Sequence, residues 1–227
     1  MQYIRVWDLP LRLFHWGLVI AVGGALVSVQ LGGNMMIWHE RCGLAVVGLL
    51  AFRLVWGVIG PQQARFITFF PTPARLRRYL RGDWQGHGHN PLGALSVLAM
   101  LALFGWQALS GLFSYDDISF GGPLRSLVSG TTVERLSGLH HDSEWWLYGL
   151  IALHVLAIAV YALRGKHLTA AMLHGRARTH NAAPAAPDTS VRWSALVIAL
   201  AVAGAAVWLA SGVWIETPPP APAAPAW

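Results

Sequence analysis

His140-His141-Asp142-Ser143-Glu144-Trp145-Trp146-Leu147-Tyr148-Gly149-Leu150-Ile151-Ala152-Leu153-His154 runs from a polar boundary into an apolar span and carries a histidine at each end. At about 100° per residue, the 14 steps from His140 to His154 make four turns less roughly 40°, so both imidazoles leave a helix on nearly the same face. Counted from His141, the misfit is about 140°, which makes His140 the better partner and leaves His141 as its alternative should the helix start irregularly. A rise of about 1.5 Å per residue separates the pair by roughly 21 Å, most of a hydrocarbon core of ~30 Å. One helix would thus present a ligand near each membrane face.

The composition agrees with a membrane setting. The 227 residues are 55% hydrophobic and only 11% charged, and the mean hydropathy is +0.48, too apolar for an ordinary soluble domain of this size. The formal charge of +6 does not point to nucleic acid, because the arginines lie in particular loops between apolar spans rather than in one patch. A single cysteine, Cys42, cannot form an intramolecular disulfide, and no Cys-x-x-Cys-His motif offers covalent haem attachment. No short apolar region with a small-residue cleavage site opens the chain, so the first span is expected to be retained.

Five spans follow in order: about Leu13 to Leu31, Met36 to Ile59, Asn90-Pro91 to Phe113, Thr132 to Leu163 and Val191 to Val213. Gly32-Gly33-Asn34 reads as a turn, Asn90-Pro91 as an N-cap with proline at the first helical position, and Thr131-Thr132-Val133-Glu134 as a capping box. Pro73 to Leu80 is a short interfacial amphipathic helix. Arg65, Arg75, Arg77, Arg78 and Arg81 follow the second span, and Arg164, Lys166, Arg176 and Arg178 the fourth. These basic loops place the N-terminus in the cytoplasm and the C-terminus on the far side. Trp16, Trp38, Trp145 and Trp214 near span ends suit interfacial belts, although lipid-facing bulk explains them equally. The expected organisation is an all-α integral membrane protein: a four-helix transmembrane bundle over 1–166, a linker over 167–190 that is Pro/Ala-rich from Ala182, a fifth C-terminal transmembrane helix over 191–214 and a Pro-rich tail over 215–227.

Depth pairs the histidines. His15 with His154 forms a level near the cytoplasmic face, and His39 with His140 a level near the outer face, each joining different helices. Two imidazoles on facing helices are what a six-coordinate, low-spin haem needs, one on either side of the macrocycle. A lone membrane histidine is more often a hydrogen-bonded interior residue, but four falling into two matched levels are harder to reach by chance. Zinc wants three or four ligands at one point, and each level offers two. Arg53 leaves helix two on nearly the face of His39 at the inner depth, where a buried charge needs a counter-charge; a haem propionate would supply one, to Arg53 or to Arg12.

These residues carry a family resemblance. Val6-Trp7-Asp8-Leu9-Pro10, Arg12-Leu13-Phe14-His15-Trp16, Trp38-His39-Glu40 with Gly43, Phe52-Arg53-Leu54-Val55-Trp56-Gly57, Gly88-His89-Asn90-Pro91-Leu92-Gly93-Ala94 and Leu153-His154-Val155 resemble the bacterial di-haem cytochrome b-561 family that includes the cytochrome b subunit of nickel-iron hydrogenases. The resemblance covers about Val6 to Arg164. It implies two haem b groups held by His15, His39, His140 and His154, and electron transfer across the bacterial inner membrane between the quinone pool and a redox partner, either a c-type cytochrome or a hydrogenase-like reductase subunit. His89 matches a loop-helix motif and is not read as a ligand. The doubled histidine at 140 and 141 and the extension from Asn181 depart from the pattern.

Three rivals stand beside this reading: a self-contained quinol oxidase reducing oxygen or superoxide, a histidine-lined metal or proton transporter, and a cofactor-free membrane anchor. The transporter predicts broken helices or midplane acids, and the sequence shows neither clearly.

Overall fold

A computed structural model describes residues 2–84, 89–118, 120–179 and 190–215. Five segments are long and apolar enough to cross a membrane: Leu9–Leu31, Gly33–Ile59, Pro91–Gly111, Gly130–Leu163 and Trp193–Ala210. The all-helical membrane architecture expected from composition is therefore the one observed. Most of the Pro/Ala-rich stretch from Ala182 and the tail beyond Ile215 lie outside the described residues.

Local chemistry sets the helix ends. Helix α1 (Leu9–Leu31) starts four residues before the expected Leu13, because the Asp8 carboxylate accepts the Leu11 N–H at 2.8 Å and Pro10 sits in the first turn, where a missing N–H costs nothing. It stops at Gly32 and Gly33, whose φ of 62° and 53° favour residues without a Cβ. Helix α2 (Met36–Ile59) follows and ends at Gly60-Pro61. Helix α3 (Phe66–Phe69) and helix α4 (Pro73–Leu80) fill the next loop, α4 opening on Thr72, which accepts from the Arg75 N–H. Helix α5 (Pro91–Gly111) is capped by Asn90, whose side-chain oxygen takes the Gly93 N–H at 2.7 Å, and it ends two residues before the expected Phe113.

The fourth span is two helices, α6 (Gly130–Asp142) and α7 (Glu144–Leu163), joined at Ser143. It begins at Gly130 rather than near Thr132, since Ser129 and not the Thr-Thr pair supplies the cap. The interruption is local. Ser143 N–H still bonds Leu139 O at 3.1 Å, and Leu147 N–H still bonds Ser143 O at 3.1 Å. Ser143 Oγ donates to Leu139 O at 2.7 Å, a back-bond of the kind that bends helices.

After α7 the chain returns to the first residues. Helix α8 (Leu168–His174) ends in Gly175 at φ 74°, and strand β2 (Arg176–Thr179) pairs antiparallel with strand β1 (Gln2–Arg5). A side chain at Gly175 would meet Trp7 O at 2.8 Å, so the turn needs glycine twice over. Helix α8 and strand β2 thus lie within the stretch read as linker.

Helix α2 occupies the centre. It packs on α1 where Gly24 faces Cys42 and Gly17 faces Leu49, and on helix α9 (Trp193–Ala210) along its other side. The α2–α9 contact uses small residues: Ala199 is fully buried, and a Cβ on Gly48 would come within 2.6 Å of Val207. Without a hydrophobic drive between helices in lipid, such close backbone approach is what holds them. Gly48→Val should therefore overpack this seam at a cost of about 1–3 kcal/mol. The thermal midpoint of the detergent-solubilised protein should fall, whereas Gly204→Val, with open space around its Cβ, should leave it unchanged.

Candidate functional site

At one level of the bundle the ring of His39 on α2 meets that of His140 at the end of α6. Their centroids are 6.2 Å apart and their planes lie at 89°. Each ring is fixed through Nδ1. His39 Nδ1 lies 2.9 Å from Ala25 O on α1, and His140 Nδ1 lies 3.1 Å from Gln107 O and 3.1 Å from Ser110 Oγ on α5. A carbonyl only accepts, so Nδ1 carries the proton in both neutral rings and Nε2 keeps its lone pair. This is the arrangement of metal-ligating histidines, whose second nitrogen donates to a carbonyl or carboxylate.

The spacing suits a shared iron. Two metal–nitrogen bonds of about 2.0 Å, plus about 1.1 Å from each nitrogen to its ring centre, give roughly 6.2 Å for imidazoles on opposite sides of one metal. Around the pair runs a cleft whose apolar walls include Val22, Leu26, Val46, Phe104 and Leu147, contributed by four helices. Gly43 lines it one turn beyond His39, and nothing comes within 4 Å of where its Cβ would stand. Gly111 lets α5 approach the His140 ring, which a Cβ there would touch at 2.9 Å. A flat apolar macrocycle with a metal at its centre fits this donor set and lining. His141 is exposed at the mouth of the cleft, so the ring that meets His39 is that of His140. Among the described residues no three His, Cys, Asp or Glu side chains converge as a tetrahedral zinc site would need.

At a second level His15 of α1 lies within electrostatic range of His154 of α7. His15 Nδ1 is buried with no hydrogen-bond partner among the described residues, an orphan that a ligand at this level would help account for. His89 joins them from the loop before α5, its ring 4.6 Å from Trp7 and 5.0 Å from Phe69. Burial, and then the charge of Arg53, push His89 down to about 4, so it is neutral at physiological pH.

Arg53 is 1% exposed, and its guanidinium lies over the rings of Phe66 at 4.3 Å and Phe69 at 5.9 Å. Its Nη1 has no hydrogen-bond partner among the described residues. Asp8 supplies an opposite charge that no motif had been assigned to provide. Burial raises the Asp8 pKa, opposed by hydrogen bonds from the Leu11 N–H and the Trp56 indole N–H (3.2 Å) and by the charge of Arg53. Asp8 Oδ2, like Arg53 Nη1, is buried with no hydrogen-bond partner among the described residues. Arg12 is placed differently: its guanidinium is held by the Met172 and Leu173 carbonyls at the end of α8.

Sequence reasoning had not assigned roles to Asp8 or to the Phe66–Phe69 pair. Asp8 carried a usable signal, an Asx residue two positions before a proline at the head of an apolar run, the logic already applied to Asn90-Pro91. The two phenylalanines carried none, because a four-residue helix in a basic loop has no period to read.

No curated protein and no solved structure matches the chain. A family model described as prokaryotic cytochrome b561 matches residues 6–175, which is 170 of the 227 residues and includes all four paired histidines. The chain therefore belongs to the prokaryotic cytochrome b561 family, all-helical membrane proteins that move electrons across the bilayer on b-type haem.

Proposed function

We propose that this chain carries electrons across the bacterial inner membrane through two haem b groups, one held by His39 and His140 and the other by His15 and His154. The observation that carries the proposal is the outer pair: two rings 6.2 Å apart, each with Nδ1 on a backbone carbonyl, which leaves the proton off Nε2. Haem, when bound, supplies a one-electron couple at iron. The chain's own residues do the rest. Helices α1, α2, α6 and α7 each contribute one imidazole, the apolar lining keeps water from the metal, and Ala25 and Gln107 fix the tautomers that ligation needs.

Arg53 and Asp8 set the field at the inner level, where Arg53 is the buried cation that a haem carboxylate would meet. Arg12 stands at the same end as a second cation for that role, braced by α8. The N-terminus faces the cytoplasm in this reading, because the basic loops after α2 and after α7 lie at the end where α1 begins. The exchange partners are quinone on one side and a c-type cytochrome or a hydrogenase-like reductase subunit on the other. A self-contained quinol oxidase would use the same haems with no partner subunit.

Reduced-minus-oxidised spectra with haem and protein assayed together should give two haem b per chain. His39→Ala and His15→Ala should each leave about one, and His141→Ala should leave both. A colourless protein, or a haem content that neither substitution lowers, would contradict the assignment. Replacing the inner charges should move one potential and not the other. Arg53→Gln should lower the midpoint of the inner haem, and Asp8→Asn should raise it, by on the order of 60 mV, the one-electron equivalent of a tenfold change. Redox titration of the two haems reads both.

A further inference from the structure

Between the β1–β2 ribbon, the start of α1, the end of α8 and the approach to α9 lies a cleft of about 380 Å³, lined by Arg5, Arg12, His174 and Arg176 together with Trp7 and Asp8. Its cationic character is built in rather than scattered. Arg5 and Arg176 are Cα partners in the antiparallel ribbon, so two like charges stand directly opposite each other. Such a pair destabilises a ribbon unless something negative sits between its members. The one carboxylate in the lining, Asp8, does not serve: it is 2% exposed, its Oδ1 takes the Leu11 N–H and the Trp56 indole N–H, and its Oδ2 is buried and bonds neither arginine. Arg12 is pre-positioned, its Nε on Met172 O at 3.1 Å and its Nη2 on Leu173 O.

The surroundings suit an amphiphile. Trp7, Leu9 and Val191 add apolar surface to the same cleft, and Val191 stands two residues before α9. The cleft therefore sits where two apolar spans, α1 and α9, meet the polar boundary. Basic clefts at that depth take phosphate headgroups.

We propose that this cleft binds a phosphate group, and that its occupant in the membrane is the headgroup of an anionic phospholipid, which relieves the Arg5–Arg176 opposition and ties the N-terminal strand, α8 and the entry to α9 together. The cleft shares Arg12 and Asp8 with the inner level of the haem assignment, but Arg5 and Arg176, on which the proposal turns, have no part in that assignment; the choice of the cytoplasmic leaflet rests on the orientation proposed above.

The test uses the full-length holoprotein in nanodiscs of phosphatidylcholine alone or with phosphatidylglycerol, with the haem spectrum recorded in every sample. Phosphatidylglycerol should raise the thermal midpoint of the unsubstituted protein by about 2–4 °C, the shift expected of a modest binding energy in a chain of this size. Arg5→Gln with Arg176→Gln should abolish that rise and, in phosphatidylcholine alone, should be no less stable than the parent, because the repulsion is gone. Arg75→Gln with Arg78→Gln on α4 should keep the rise. Inorganic phosphate added to phosphatidylcholine discs separates the sources: a rise there, lost in the Arg5/Arg176 variant, with none from phosphatidylglycerol, keeps the phosphate site but overturns the lipid as occupant. No rise with either, or the same phosphatidylglycerol rise in the Arg5/Arg176 variant, overturns the proposal. An unchanged haem spectrum throughout separates that failure from failure of the electron-transfer reading.

Discussion

The structure depends on one constraint: two imidazoles on different helices must face each other across an apolar interior with their outer nitrogens unprotonated. Neutral histidine does not choose its tautomer alone, and the carbonyls of Ala25 and Gln107 choose it here. Those carbonyls belong to α1 and α5, so the orientation of each ring depends on a third and a fourth helix. Gly111 and Gly43 belong to the same design, one by letting α5 close on His140 and the other by leaving room beside His39. The glycines, the carbonyls and the histidines are one arrangement, and the small-residue packing of α1 and α9 on α2 gives it a fixed frame.

The inner end differs in kind. A buried arginine needs compensation, and the protein surrounds Arg53 with two aromatic faces and one carboxylate at a distance rather than with a direct ion pair. Arg53 Nη1, Asp8 Oδ2 and His15 Nδ1 have no hydrogen-bond partner among the described residues, whereas His39 and His140 are both hydrogen-bonded through Nδ1. Under the proposed function, the two haems would therefore sit in unequal fields, which is how a protein separates the potentials of chemically identical groups.

Much of this was legible in the chain because it is local. The extent of α2 follows from an apolar run bounded by glycines and that of α4 from Thr72-Pro73 ahead of an amphipathic, arginine-rich turn, while the meeting of the His39 and His140 rings follows from depth and period. The ends that were misplaced turn on single hydrogen bonds: Asp8 to the Leu11 N–H starts α1 early, and Ser129 rather than Thr131-Thr132 caps α6. The break at Ser143 was hidden because a serine in the polar run His140-His141-Asp142-Ser143-Glu144 does not announce a bend. Strands β1 and β2 were illegible for another reason, since four-residue strands more than 170 positions apart share no pattern. The placing of Arg12 against α8 was lost with them.

Electron paramagnetic resonance of the oxidised protein tests the central claim most directly. Two bis-histidine haems give low-spin signals only, and near-perpendicular imidazole planes, as at His39 and His140, give a strongly anisotropic one. The account predicts that His140→Ala removes this anisotropic signal and leaves the second low-spin haem in place. A high-spin signal in the unsubstituted protein, or a spectrum that His140→Ala leaves unchanged, would contradict it.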